Sequence, residues 1–443
     1  MHHKSRGLGR LVASLIGLAL TAAVSTGFGS CQRHVNPIVF VHGGSGSGAQ
    51  FESQAMRFAS NGYPPEHIGV VEYDSTRPLG VAFLATVHAA IDARIAELQA
   101  ATGRAQVDLM GHSRGTTVSH DYLSFPERAA KVAHYVNLDG RSADAAPGGV
   151  PTLALWAGAV DRPVQGEIAG ARNVTIPNQE HVEVATSEEA FFEMYSFLRG
   201  HRPLTTKILP QLRPRVSGRV TLFPENEGVD GAIVNVWWIR GDTAERILPQ
   251  PRASFDVGPD GAFGPFKAWL GAHYEFEVIR EGQRPLHYFY EPFLRGDHLV
   301  RLNTSPLLES LLPASDDSTG MGILRYKEFW GDRGSENDVL SIHGTDVINP
   351  SSAPSGEVGV ASVGFFVIDQ GSDGVSDLDT VPFPFDLLPF LTGVDLFIPS
   401  DPPDPVSIVT VPRGDLAATR VLNVRNIPST EGLIQVQLRD FEQ

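Results

Sequence analysis

The sequence has a single cysteine, Cys31, in 443 residues, so it cannot form an intramolecular disulfide. Basic residues are also scarce: 35 Lys and Arg stand against 51 Asp and Glu, for a formal net charge of −16. Because nucleic acids and anionic membrane surfaces are bound through basic patches, this charge argues against either as a partner. The glycine patterns of phosphate-binding and dinucleotide-binding loops are missing as well.

One long apolar run lies near the N-terminus, outside the predicted strands and helices. A basic start, His2–Arg10, precedes the apolar segment Leu11–Phe28, and we interpret residues 1–30 as a secretory signal. Cys31 follows Phe28-Gly29-Ser30, which resembles a bacterial lipoprotein cleavage site with Phe28 as an atypical residue. Export is therefore expected, with membrane attachment through lipidated Cys31, or ordinary signal cleavage nearby as the alternative.

The pattern of the remaining chain changes near His201. Residues 31–202 alternate buried-strand and helix patterns and predict an α/β domain, a mostly parallel sheet with flanking helices. After that point short alternating strands predict an all-β region: a β-sandwich over 203–302 and a second β segment over 303–443, or one unit made of both. The β-strands predicted in this region are Val216–Leu222, Ala232–Trp238, Tyr274–Ile279, Leu299–Leu302, Val358–Val363, Phe365–Ile368, Val406–Val411 and Leu433–Leu438.

A G-x-S-x-G motif, Gly111-His112-Ser113-Arg114-Gly115, lies between an apolar strand pattern and a helix-compatible stretch. A serine on such a strand-to-helix turn has a strained backbone, and only small flanking residues allow the close packing around it. A helix that starts near Arg114 directs its first N–H groups at the charge formed when Ser113 Oγ attacks a carbonyl. Ser113 is the predicted nucleophile.

A second glycine-rich loop follows the apolar strand pattern Pro37–Val41 and runs from His42 to Gly48. Acyl transfer needs two backbone N–H groups on the developing oxyanion, one after the nucleophile and one from an early loop of this kind. We assign them to Arg114 and Gly44. The alternative is a flexible linker or a phosphate cradle.

Two carboxylates follow predicted parallel strands, where open α/β sheets build their sites. Asp161 follows the apolar run Thr152–Ala157, and Asp139 follows the run Ala133–Leu138. Asp161 is the predicted acid of a catalytic triad, and Asp139 is the competing choice.

The predicted base is His181, which lies between a last strand pattern, Asn173–Ile176, and a final amphipathic helix. Its position gives the chain order Ser, Asp, His that α/β-hydrolases use. In that scheme His181 takes the Ser113 proton, Asp161 fixes the imidazole tautomer, and an acyl-enzyme forms without a metal or cofactor. Structural roles are assigned to the other histidines of this domain, His67, His88, His112, His120 and His134.

Residues 35–200 resemble the small, lidless bacterial lipases of the α/β-hydrolase superfamily. The resemblance rests on three stretches: Asn36–Gly43, Gly111–Gly115, and Gly170–Val174 leading to His181. It implies ester hydrolysis, with Ser113, Asp161 and His181 as the triad and Gly44 and Arg114 as oxyanion donors. Arg114 departs from the pattern, because these lipases more often carry an uncharged residue there, and this leaves the polarity of the acyl pocket open.

The whole arrangement resembles an archaeal lipase family in which a C-terminal β-domain contributes to lipid substrate binding. Only Arg141–Val150 separates two core strands where many lipases insert a lid, so no lid is expected. The aromatic cluster His287–Tyr290 and the apolar run Val381–Leu391 could contact lipid, but core packing is the preferred interpretation of each. An acidic loop could bind calcium, but a solvated turn is the preferred interpretation. Its carboxylates are those of Asp369, Asp373, Asp377 and Asp379.

The leading hypothesis is an exported serine carboxylesterase or lipase that acts on acylglycerols or other hydrophobic esters. A polyester depolymerase, an amidase or peptidase, and a catalytically inactive cell-surface binding protein are the alternatives, since the same fold and triad serve several chemistries.

Overall fold

A computed structural model describes residues 35–159, 166–355 and 360–441. The predicted signal, Cys31 and Asp161 lie outside the described residues. Within those ranges, none of the helices combines the length and the hydropathy that crossing a membrane requires.

Among its described residues, the N-terminal domain has six strands and six α-helices. The strands are β1 Ile38–Val41, β2 Ile68–Val71, β3 Val107–His112, β4 Val132–Leu138, β5 Thr152–Gly158 and β6 Arg172–Pro177. The helices are α1 Glu52–Ser60, α2 Val81–Thr102, α3 Arg114–Leu123, α4 Pro126–Ala129, α5 Glu183–Thr186 and α6 Glu188–Arg199. All six strands are parallel, in the spatial order β2-β1-β3-β4-β5-β6.

Helices cover both faces of this sheet, which explains why a strand such as β1 is apolar along its whole length. On one face Phe40 packs with Phe58 of α1 and Phe191 of α6. On the other face Val39 packs with Ile91 of α2. The N-terminal domain therefore has the predicted α/β-hydrolase fold.

The C-terminal region contains fifteen strands among its described residues and one short helix, α7 Pro306–Leu311. Its strands are β7 Arg215–Leu222, β8 Ile233–Ile239, β9 Ala253–Asp256, β10 Ala262–Lys267, β11 His273–Ile279, β12 Leu286–Tyr290, β13 Asp297–Thr304, β14 Met321–Leu324, β15 Val339–Ile342, β16 Thr345–Asp346, β17 Gly364–Ile368, β18 Leu391–Asp395, β19 Val406–Val411, β20 Arg420–Val424 and β21 Leu433–Gln437.

These strands form three sheets, of which the largest joins the two predicted β segments. The orders are β10-β7-β13, β18-β17-β14-β21-β12-β11-β8-β9 and β16-β15-β19-β20. In the eight-stranded sheet β12 pairs in parallel with β21, so strands from 203–302 and from 303–443 share one hydrogen-bonded ladder. The two segments therefore form a continuous β structure.

One predicted strand, Val358–Val363, is corrected. Its described part, residues 360–363, forms turns and bends, and β17 begins only at Gly364. The N–H of Val363 donates to the carbonyl of Phe390 at 2.8 Å, outside any strand ladder.

The C-terminal region packs directly on the N-terminal domain through β13. Leu299 of β13 belongs to the hydrophobic core that lies under α1 and α6. Two residues further on, the Arg301 guanidinium is 2.6 Å from a carboxylate oxygen of Glu72, just after β2. A core residue and a buried ion pair thus bind the two regions together.

Candidate active site

Ser113 occupies the sharp turn between β3 and α3. Its backbone angles are φ 52° and ψ −122°, an unfavourable conformation for a residue with a side chain. A Cβ on Gly115 would lie 2.3 Å from the Val41 carbonyl oxygen, and one on Gly111 would lie 2.8 Å from the Gly115 oxygen. Gly115 therefore allows the turn to pack against β1, and Gly111 allows it to pack against the start of α3.

A chain of two hydrogen bonds connects Ser113 to a buried carboxylate. Ser113 Oγ lies 2.8 Å from His181 Nε2, and His181 Nδ1 lies 2.6 Å from Asp139 Oδ2. The His181 and Asp139 residues are only 5% and 6% exposed. A nucleophile, a base and a carboxylate that orients the base are thus within reach of one another.

The carboxylate that bonds His181 is Asp139, the competing choice of the sequence analysis, whereas the preferred choice, Asp161, lies outside the described residues. Asp139 follows β4, the direct neighbour of the strand that carries Ser113. Its other carboxylate oxygen, Oδ1, accepts the N–H of Ala157 on β5 at 2.9 Å, which leaves Oδ2 for His181. Because Nδ1 of an imidazole presents a single N–H, one carboxylate is enough to fix the tautomer.

Both predicted oxyanion positions lie beside the nucleophile. Arg114 is the first residue of α3, where backbone N–H groups have no partner within the helix. Gly44 follows Gly43, at which a Cβ would lie only 3.0 Å from Ser113 Cβ. The Arg114 guanidinium donates to the carbonyl of Arg77, so its charge is directed at a loop beyond β2.

Residue His112 has a larger part in this site than its predicted structural role. Its Nε2 donates to the His181 carbonyl at 2.8 Å, and its Nδ1 accepts from Gln50 Nε2 at 2.7 Å. Its ring centre is 4.7 Å from that of His181. His112 thus connects the loop of the base with the glycine-rich loop, and Gln50 is a site residue that the sequence analysis missed.

Two buried ionisable groups hold the glycine-rich loop. The ring of His42 stacks on Tyr73 at 4.4 Å, and its burial lowers the His42 pKa, which favours the neutral imidazole. Burial alone would raise the pKa of Glu72, but Arg301 and His42 outweigh this effect and hold it below its usual range. Glu72 accepts the N–H of Gly48 at 3.1 Å and thereby fixes the end of the loop.

The C-terminal region contributes an aromatic side chain and a cavity to the site. Phe390 stacks over His181, with ring centres 6.1 Å apart and planes 16° apart. Beyond it a cavity begins at Ser45 and Ser47 of the glycine-rich loop and extends into the β structure. Most of its walls are apolar, including Leu286, Leu308, Ile323, Val363 and Phe365.

The two segments weighed as lipid contacts differ from each other. The aromatic cluster His287–Tyr290 is buried within β12, so it is core. The run Val381–Leu391 is divided: Phe385 is buried, whereas Phe383 and Leu387 are 71% and 69% exposed. Residues of the run Val381–Leu391 therefore lie both in the core and on the surface.

The acidic loop weighed as a calcium site forms turns. The carboxylate of Asp369 accepts the N–H of Gly374, and those of Asp373 and Asp377 each accept an N–H two residues further on. In the described ranges, metal-like spacing occurs in one group: Glu275, Glu277 and His287. The Arg246 guanidinium already bonds both of those carboxylates, at 2.6 and 2.9 Å, so the group does not suit a cation.

Models of lipase families match two separate parts of the chain. The model of class 2 lipases matches residues 35–134, and the model of the lipase C-terminal domain matches residues 213–307. A third model, of another C-terminal domain, matches residues 307–442. A search of curated proteins gives no match.

Solved structures with similarity to this chain include several hydrolases. A CIB-like hydrolase from Thermoplasma acidophilum is 17% identical, with 38% of this chain and 87% of that chain covered and a TM-score of 0.28. For lipase B of Aspergillus fumigatus the identity is 10%, the coverage 39% and 54%, and the TM-score 0.30. For phospholipase PlaB of Legionella pneumophila the identity is 10%, the coverage 61% and 93%, and the TM-score 0.29.

The six-stranded parallel sheet, the serine turn at the carboxyl end of β3 and the matches to two lipase models agree with one another. The chain is a lipase-like α/β-hydrolase with a C-terminal region rich in β-strands.

Proposed function

We propose that this protein is a serine carboxylic-ester hydrolase that cleaves hydrophobic esters, such as acylglycerols, through an acyl-enzyme. The observation that carries the proposal is the hydrogen-bonded chain from Ser113 through His181 to Asp139. His181 takes the proton of Ser113 as Oγ attacks the ester carbonyl, and Asp139 stabilises the imidazolium that forms. The N–H groups of Gly44 and Arg114 stabilise the oxyanion, and water then releases the acid.

The cavity beside Phe390 supports a long acyl chain as part of the substrate. It lies between the glycine-rich loop and the β structure, and apolar side chains form most of its wall. Each methylene moved from water into such a cavity contributes about 0.8 kcal/mol to binding. Acyl chains of increasing length should therefore gain affinity until the cavity is filled.

The proposal is tested by hydrolysis of p-nitrophenyl esters of increasing acyl length, with the protein freed of residues 1–30. The Ser113→Ala variant should lose about 10⁶-fold in kcat, because the nucleophile is removed. Absence of turnover at every chain length, together with failure of a serine-reactive phosphonate to label Ser113, would favour a binding protein with an inactive hydrolase fold.

The cavity is tested by filling it. Leu308 lines the cavity, whereas its neighbour Leu307 on α7 is 72% exposed. Leu308→Trp should lower kcat/KM for a long-chain ester by about tenfold, equivalent to two methylenes, and should leave a short-chain ester unaffected. Leu307→Trp is the matched control and should change neither. Equal losses on short and long esters would contradict the assignment of the cavity to the acyl chain.

Export and lipidation belong to the same proposal. The basic start and apolar segment before Cys31 support a signal, and Cys31 follows it directly. Metabolic labelling with a tagged fatty acid should modify the wild-type chain, and Cys31→Ser should abolish the label. A chain that is exported without any label would support ordinary signal cleavage.

A further inference from the structure

The loop that carries His181 is held by a carboxylate from the C-terminal region. Glu328 lies between β14 and β15 and is only 1% exposed. Its carboxylate accepts the backbone N–H of Val182 and, at 3.0 Å, the N–H of Glu183. These are the two residues that follow the catalytic histidine.

We propose that Glu328 is a positioning residue for His181, so that the β structure supplies part of the catalytic apparatus as well as a lipid cavity. The inference rests on the proposed function, since it assigns His181 as the base. Glu328 does not touch the reacting atoms, and it acts through the backbone of the loop.

The argument depends on one peptide unit, the one between His181 and Val182. Its carbonyl accepts from His112 Nε2 at 2.8 Å, and its N–H donates to Glu328. Both polar atoms of this peptide are therefore held, one by the N-terminal domain and one by the C-terminal region. Because the peptide is planar and both of its polar atoms are bonded, its rotation is restricted, and this holds the backbone from which the His181 side chain projects.

Further contacts from the C-terminal region surround the same loop. The hydroxyl of Thr186 donates to the carbonyl of Tyr326 at 3.0 Å, close to Glu328 in the chain. Glu183 is 3.1 Å from Lys327 Nζ and 3.0 Å from the Arg413 guanidinium. These contacts keep Glu328 in place, and they do not themselves reach the peptide after His181.

The protonation state of Glu328 links this support to pH. Burial, and then the nearby carboxylates of Glu180 and Glu183, raise the Glu328 pKa to about 7, against the backbone N–H groups of Val182 and of Glu328 itself, which lower it. The cations that face the loop pair with those two carboxylates: Arg333 with Glu180, and Lys327 and Arg413 with Glu183. Only ionised Glu328 offers both of its oxygens freely as acceptors, so the support weakens as the pH falls through that pKa.

The test compares kcat and KM on a short, soluble ester, which does not need the cavity. In Glu328→Ala both N–H groups lose their acceptor, and kcat should fall about 10²-fold with little change in KM, because a displaced base slows the chemical step. Glu328→Gln keeps one good acceptor and should fall between this variant and the wild type. The matched control is Glu291→Ala, since Glu291 also accepts a backbone N–H, that of Arg439, within the C-terminal region.

A pH profile supplies a readout that loss of stability alone would not move. In the wild type, loss of the ionised Glu328 carboxylate should add to loss of the neutral base, so kcat/KM should fall more steeply than with a slope of one as the pH drops through about 7. Glu328→Gln should show a slope near one. Thermal unfolding of each variant verifies that it is folded. If Glu328→Ala does not fold, the comparison of Glu328→Gln with the wild type is the test.

Wild-type kcat and an unchanged acid slope in a folded Glu328 variant would overturn the inference while leaving the proposed function intact. An inactive wild-type protein, with Ser113→Ala indistinguishable from it, would instead overturn the proposed function.

Discussion

Two side chains of the proposed triad belong to residues with a left-handed backbone. Ser113 has φ 52° and Asp139 has φ 40°, each directly after a strand of the parallel sheet. Side-chain-bearing residues rarely adopt such angles, and the strain persists only where the surrounding structure enforces it. Here both turns direct a functional group from adjacent strands towards His181.

The choice of Asp139 rather than Asp161 as the acid of the proposed triad gives a direct prediction. Asp139→Asn should lower kcat about 10⁴-fold with little change in fold, because the amide stabilises the wrong imidazole tautomer. Asp161→Asn, the matched control, should retain wild-type kcat. The measurement is kcat on a short p-nitrophenyl ester, and the opposite ranking of the two variants would restore Asp161 as the acid.

The glycine-rich loop allows a second matched pair. A Cβ at Gly43 would lie 2.9 Å from His112 Nδ1 and 3.0 Å from Ser113 Cβ, whereas a Cβ at Gly44 meets nothing within 4 Å. Gly43→Ala should therefore displace the nucleophile and lower kcat by roughly tenfold or more. Gly44→Ala keeps its N–H and should remain near wild type. Equal kcat values for the two variants would show that the glycine-rich loop can shift to accommodate the added Cβ without displacing Ser113.

At the scale of elements, α6 shows what sequence patterns predict well. The helix was expected from its amphipathic pattern, and it runs from Glu188 to Arg199 with Phe191 and Met194 in the core. Ser187 caps it, since its Oγ accepts the N–H of Ala190 at 3.1 Å. Gly200, with φ 69°, ends it.

Removal of this cap should destabilise the protein without changing the chemistry. Ser187→Ala should cost about 1 kcal/mol and lower Tm by about 2 °C, with kcat unchanged. Ser124→Ala is a suitable control, because Ser124 is exposed and its Oγ donates only to the Asp121 carbonyl. Thermal unfolding of both variants measures the difference, and equal Tm values would contradict the capping role.

Strands were predictable where burial makes them almost continuously apolar, as in β1 and β5. β2 is as short as β1, and it was missed because it includes Gly69, which is close-packed against Arg94. β12 was noticed only as an aromatic cluster, since it is buried along its whole length and shows no alternation.

The candidate site was predictable where its residues follow local rules. Ser113 and His181 follow from a motif and from chain order. The choice between Asp139 and Asp161 needed the sheet order, because both follow strands and only adjacency of β4 to β3 distinguishes them. Glu328 and Phe390 lie 147 and 209 residues after His181 in the chain, and no local sequence pattern predicts contacts over such a separation.

At the scale of the whole molecule, the change of sequence pattern near His201 would suggest an N-terminal domain that folds and acts alone. The contacts favour a different outcome. Leu299 completes the core under α1 and α6, and Glu328 holds the loop of the base. A chain ending near His201 should therefore unfold at a lower temperature or be insoluble, and it should lose activity on short esters too. Wild-type kcat on a short ester from this truncated chain would contradict the prediction.

The ion pair between Arg301 and Glu72 joins the two regions and predicts a pH-dependent stability. Breaking a buried pair leaves an uncompensated charge, so Arg301→Ala should lower the free energy of unfolding by about 3–5 kcal/mol at neutral pH. The partly exposed pair of Arg94 and Glu97 serves as control, and Arg94→Ala should cost at most about 1 kcal/mol.

The sign of the pH effect follows from the Glu72 pKa. Arg301 and His42 hold that pKa below its usual range, so the stabilisation is present above the unfolded-state value and is lost as the pH falls through the folded-state value. In Arg301→Ala burial is no longer outweighed by the guanidinium, and the Glu72 pKa should rise. The gap in Tm between variant and wild type should therefore narrow steadily from pH 7 towards acid. A gap that stays constant over this range would mean that Arg301 stabilises the interface by packing, with no contribution from its charge.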